Sequence, residues 1–105
     1  MSGSIVQFRP SVAYDYEQLT VSTGVQVLTP SKYAEVNGGA TDAFITLNGG
    51  NIRYRYDNGT PSSTVGHVLL DGGILVLKGQ NQMSQFKCIQ TGSASSEISV
   101  SYERE

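Results

Sequence analysis

Tryptophan is missing from this chain of 105 residues, histidine and cysteine occur once each, and proline occurs three times. With His67 as the sole histidine, and no serine or cysteine in a recognisable nucleophile context, the groups that usually carry acid-base and covalent chemistry are lacking. No enzymatic activity and no cofactor are therefore expected. A single thiol, Cys88, can close no internal disulfide and by itself holds no structural zinc. It lies inside an apolar-polar alternation and reads as a small buried hydrophobe. Charged residues make up only 15% of the chain, the formal net charge is −2, and neither sign is clustered. A protein without a basic field has little with which to neutralise phosphates, so nucleic acid is not an expected partner. No segment approaches the roughly 18 apolar residues of a membrane span. Met1-Ser2-Gly3-Ser4 has neither the basic start nor the apolar run of a signal peptide. A soluble product, first located in the cytoplasm and without a membrane partner, is expected.

What the chain does contain is period-two alternation. Its length suits one domain, and a core this small leaves a thin stability margin that burial against a partner would widen. Strands are expected at Ile5 to Phe8, Ala13 to Thr20, Gly24 to Thr29, Ala43 to Leu47, Ile52 to Tyr56, His67 to Leu70, Ile74 to Leu77, Gln85 to Thr91 and Glu97 to Tyr102. No stretch of ten or more residues has helical spacing with caps. The expected fold is all-β, a single antiparallel β-sandwich or flattened barrel of about eight short strands spanning residues 1–105. Asn48-Gly49-Gly50, Asp57-Asn58-Gly59 and Asp71-Gly72-Gly73 supply the positive dihedrals of tight hairpin turns and separate neighbouring strands. Pro10, Pro30 and Pro61 all fall between strands, where a missing amide costs little.

Alternation also assigns faces. Ile52, Tyr54 and Tyr56 oppose Arg53, Arg55 and Asp57, and Ile98, Val100 and Tyr102 oppose Ser99 and Ser101. Phe86 and Cys88 share a face, with Lys87 and Ile89 on the other. Ile74-Leu75-Val76-Leu77 has no alternation and reads as a strand covered on both faces. Residues 30–42 are long enough for a functional loop or for one helical turn, and Gly92 to Ser96 is an ordinary turn of small residues.

Several groups invite chemical readings and have plainer ones. Asp15 and Glu17, on one face of a strand, are too few oxygen ligands for a hard cation and read as a solvated face. The paired glycines match neither phosphate-loop spacing, and no helix follows them. His67 beside Gly66 reads as a hydrogen-bonding group at a strand end. Asn58-Gly59-Thr60 fits a glycosylation acceptor but reads as a turn. Arg53 and Arg55 interleave with Tyr54 and Tyr56 as a small nucleic-acid surface would, yet alternation sets the two residue types on opposite faces. Tyrosines on a β scaffold also make sugar platforms and interface anchors. Tyr54, Tyr56 and Tyr102 go to the core by alternation, which leaves Tyr14, Tyr16 and Tyr33 for contact with a partner.

The segment Asn51-Ile52-Arg53-Tyr54-Arg55-Tyr56-Asp57-Asn58-Gly59-Thr60-Pro61, then Gly66-His67-Val68-Leu69 and Asp71-Gly72-Gly73-Ile74-Leu75-Val76-Leu77, resembles small virion proteins of tailed bacteriophages. Strands like Gln85 to Gln90 and Ile98 to Tyr102 complete the likeness, which covers residues 43–102. Asn58, set between Asp57 and Gly59, departs from the family's Asp-Gly-Thr turn. The resemblance implies a structural part of the particle, made in the host cytoplasm. A capsid decoration or cement protein is expected, one that oligomerises, with a trimer favoured, and binds the capsid lattice. The alternatives are a minor head-tail or tail component and a carbohydrate-binding module.

Expected partner contacts are Tyr14, Tyr16 and Tyr33, the outer-face Arg53 and Arg55, and Asp57 and Asn58 in the turn. Ile5, Phe8 and Arg9 join them, because the segment up to Pro10 reads as an extended arm able to pair with a neighbour's sheet edge.

Overall fold

A computed structural model of the chain describes residues 12–34, 39–92 and 95–104. The expected strand Ile5 to Phe8, the arm that contains it and the contact residues Ile5, Phe8 and Arg9 lie outside them. Eight strands are described: β1 (Val12–Val21), β2 (Gln26–Val27), β3 (Asp42–Asn48), β4 (Ile52–Arg55), β5 (His67–Leu69), β6 (Ile74–Lys78), β7 (Lys87–Gln90) and β8 (Ser96–Arg104). They form two four-stranded antiparallel sheets in the orders β1-β8-β3-β6 and β2-β7-β4-β5. The fold is thus an all-β sandwich, and this strand order is the double Greek key of an eight-stranded jelly roll.

That order corrects the hairpin reading. Asn48-Gly49-Gly50 leads from β3 in one sheet to β4 in the other, and Asp71-Gly72-Gly73 leads from β5 across to β6. Among the described strands only β4 and β5 are both consecutive and paired, and residues 56–66 separate them. The positive dihedrals are where the glycines require them, at Gly49 (φ 101°) and Gly72 (φ 85°), while Asn58 takes φ 68°. The chain turns at the expected places. It turns between sheets because the apolar faces of β3 (Ala43, Ile45, Leu47) and β4 (Ile52, Tyr54) must face each other to be buried.

The core is built from one face of each long strand. Ile98, Val100 and Tyr102 of β8 and Ala43, Ile45 and Leu47 of β3 are buried, and Ile52, Phe86 and Cys88 meet them from the opposite sheet. Ser99 and Ser101 of β8 and Phe44 and Thr46 of β3 take the outer face. Burial also pushes the Cys88 thiol up to about 12, which suits a packing residue and not a nucleophile.

Two short helices serve as corners. The segment after β2 takes the single helical turn, α1 (Pro30–Tyr33), opened by a proline whose missing amide is harmless there. A second helix, α2 (Gly79–Gln85), occupies a stretch with no apolar periodicity and was not expected. Its sequence is polar except for Met83, which is buried and anchors the helix to the core. A helix this short draws its stability from such packing and not from propensity. Gln85 consequently belongs to α2, and the strand expected from it begins at Lys87.

Candidate functional site: one closed end and one open flank

At one end of the sandwich the polar groups of β1 are used within the molecule. A register irregularity between Ala13 and Asp15 precedes Asp15↔Tyr102 and Glu17↔Val100, placing both carboxylates on the core-facing side. Neither lies on a freely solvated face. Glu17 accepts hydrogen bonds from the Thr29 amide (3.1 Å), the Thr29 hydroxyl (2.6 Å) and the buried Tyr102 hydroxyl. Burial, together with the bond to Glu17, raises the Tyr102 phenol above its ordinary value. Asp15 accepts from the Tyr16 amide at 2.8 Å and from Lys32 Nζ at 3.2 Å, and these bonds hold its carboxyl below the usual range.

Two of the three tyrosines expected to contact a partner are part of this end. Tyr33 is buried and stacks on Tyr102 with ring centroids 6.4 Å apart, because α1 turns it inward. Tyr14 is half-buried, donates its hydroxyl to the Lys32 carbonyl at 2.7 Å, and carries the Arg104 guanidinium 4.6 Å over its ring. Tyr16 alone stands on the outer face, 53% exposed.

The opposite flank is different. β5 and β6 are the last strands of their sheets and are joined by residues 70–73, so the two edges lie side by side. Exposed here are Phe44, Ile74 and Val76 on the outer face of the first sheet, Val68 on that of the second, and Val65 and Leu70 in the connections, with Ile74 at 60% and Leu70 at 61%. The reading of β6 as covered on both faces is therefore overturned: Leu75 and Leu77 turn toward the core, while Ile74 and Val76 have no part of the described chain over them. A strand apolar on both faces asks for cover on both, and this sandwich supplies one.

Where β4 ends, a shallow cleft of about 240 Å³ is lined by Arg55, Tyr56, Asp57 and His67. Arg55 Nε and Nη2 donate to Asp57 at 3.0 and 2.7 Å, and the Gly59 amide donates to the same carboxylate at 3.0 Å. These bonds, the guanidinium's first, lower the Asp57 carboxyl to about 2. A Cβ on Gly59 would lie 2.2 Å from the Arg55 guanidinium carbon, so glycine is what lets the guanidinium rest on the turn. Asn58, next in the turn, takes the left-handed conformation. Tyr56 was assigned to the core but is 41% exposed, because β4 has ended at Arg55. Exposed His67 packs at a tilt against Tyr54 and Tyr56, with centroids 5.4 and 5.9 Å away, in place of the expected hydrogen-bonding role.

Arg53 also acts locally, donating from Nε to the Ser63 carbonyl (3.1 Å) and from Nη1 to the Gly66 carbonyl (2.8 Å), which ties the long β4–β5 connection to the sheet. Of the contacts predicted from sequence, the structure thus brings Arg55 and Asp57 together at the cleft with Asn58 in the turn that follows, leaves Tyr16 apart on the other sheet's outer face, and engages Tyr14, Tyr33 and Arg53 internally. Sequence reasoning missed Phe44, Ile74 and Val76 as a shared outer face, although the unbroken apolar run at β6 was the signal for part of it. Among the described residues, no three His, Cys, Asp or Glu side chains are grouped to hold a metal ion, and no helix is long and apolar enough to cross a membrane. Comparison with protein-family models, with curated proteins and with solved structures finds no match to this chain.

Proposed function

We propose that this protein is a non-enzymatic structural component of a tailed-phage particle, a capsid decoration or cement protein that joins copies of itself and the capsid lattice. The observation that carries the reading is the β6 edge: on the outer face of its sheet, Phe44, Ile74 and Val76, three of the exposed large apolar side chains among the described residues, stand together by register, and exposed Leu70 lies in the connection that leads into the strand. Apolar surface clustered in this way marks an interaction site, whereas scattered exposed leucines or valines mark nothing. A jelly roll is a common scaffold of capsid and lectin domains, which is in keeping with a virion setting. The likeness of residues 43–102 to small phage virion proteins supplies that setting. Arg53 and Arg55 both have partners inside the chain, which argues against a phosphate-binding role for them. A minor head-tail or tail component would use the same flank at another place on the particle.

Quantifying the protein in purified particles tests the reading. A copy number proportional to the major capsid protein is expected, a few copies would indicate the head-tail or tail position, and absence from the particle would refute the proposal.

One observation favours a second reading, sugar binding. The cleft beside Tyr56 and His67 pairs aromatic surface with an ionised carboxylate and a guanidinium, the groups that hold a pyranose ring. On this reading a glycan array gives signals that Tyr56→Ala abolishes and Tyr16→Ala does not.

A further inference from the structure

We infer that the open edge of β6 is a self-pairing strand, which joins β6 antiparallel to β6 of a second copy and continues one sheet across a two-fold axis. The inference rests on the assembly reading above and names its partner. The Leu47 amide donates to the Gly73 carbonyl at 3.0 Å, which sets the alternation of the β3–β6 ladder. Paired with Ile45 and Ala43, Leu75 and Leu77 turn their amides and carbonyls toward β3. Ile74, Val76 and Lys78 then turn theirs to the free edge, where no described strand pairs with them.

The two sheet edges of β1 and β6 are guarded unequally. β1 has a register irregularity and carries Asp15 and Glu17, features that discourage pairing with another chain. β6 has no proline and no irregularity over its five residues, and its only charge is the terminal Lys78. The Lys78 amide is already taken by Gln82 Oε1 at 2.7 Å, so the usable outward groups are those of Ile74 and Val76.

These facts select a register. If Ile74 of each copy is hydrogen-bonded opposite Val76 of the other, both outward amides and both outward carbonyls of each strand are satisfied and Leu75 meets its own copy at the axis. On the outer face, Phe44 and Val76 of one copy then continue into Ile74 of the next, which gives side chains left bare at the edge of the monomer apolar cross-strand neighbours. Charge agrees with the antiparallel sense: Asp71 precedes β6 and Lys78 ends it, so self-pairing brings opposite charges together at both ends. A parallel arrangement would bring like charges together.

Sedimentation of the purified full chain, with cross-linking of Leu75→Cys under mild oxidation, tests this. The wild type is expected at twice the chain mass, and Leu75→Cys is expected to form a disulfide-linked dimer, with Cys88 buried and inert. Val76→Pro removes an amide that the ladder with β3 does not use, so it is expected to leave a folded monomer, as is Ile74→Lys. Circular dichroism verifies folding, and Ile74→Lys, which leaves the backbone intact, carries the test if the proline variant unfolds. A dimer that persists in folded Ile74→Lys and is not trapped by Leu75→Cys overturns the β6 inference while leaving self-assembly through another surface. A trimer or a strict monomer at high concentration also overturns it. Particle quantification separately decides whether the assembly reading stands.

Discussion

The two flanks of this sandwich solve the same problem in opposite ways. Beside β1, α1 and the β2 end cover the sheet margin, and the two inward carboxylates have partners: Glu17 with Thr29 and Tyr102, Asp15 with Lys32. Beside β6, apolar side chains and strand-edge groups face solvent. The first flank uses its chemistry to hold the monomer together, and the second keeps chemistry that the monomer does not need. Function is therefore better sought in what the fold leaves unsatisfied than in which residues look chemically versatile.

Substitutions on the two flanks should separate stability from association. The largest expected effect is at the closed end, where Tyr102→Ala empties a fully buried aromatic site and removes one of the three donors to Glu17. A loss of roughly 3–5 kcal/mol is expected from the emptied aromatic site, enough to unfold much of a marginally stable domain in a denaturant titration. Glu17→Ala should cost about 1–3 kcal/mol, because it strands the Tyr102 hydroxyl and two Thr29 donors. Thermal unfolding would register this as a drop of several degrees.

On the open flank, the double change Ile74→Ser and Val76→Ser should move monomer stability by no more than about 0.5 kcal/mol, as ordinary surface substitutions do. A comparably large loss of stability there would show that the flank belongs to the fold and would erase the contrast.

The smallest effect concerns pH. Asp57 is held ionised down to about 2 by Arg55 and the Gly59 amide, so its contribution is present above the ordinary carboxylate range and is lost as pH falls through about 2. The pair is solvent-exposed, so the change in global stability should be slight. NMR titration is expected to place the Asp57 midpoint near that value in the wild type, and Arg55→Gln should return it toward the ordinary range.

Much of the fold was legible in the residues themselves. Ile98, Val100 and Tyr102 bury one face of β8, and Ser99 and Ser101 mark the other, because a pleated strand repeats every second residue and burial selects one side. Sequence likewise placed Cys88 in the core and chain turns at the glycine pairs. The helix Gly79–Gln85 was not legible, since its one apolar anchor, Met83, leaves no period to detect.

Local residues by themselves determined the strands, the positions of the turns and most buried faces, since all three depend on neighbours in the chain. Only the tertiary structure decided which sheet each turn leads into, that Tyr33 packs inside while Tyr56 stands out, and that β6 ends its sheet with Ile74 and Val76 uncovered. Those outcomes depend on which distant strand lies alongside, and nothing in a strand's own alternation records whether another strand will be there to cover it.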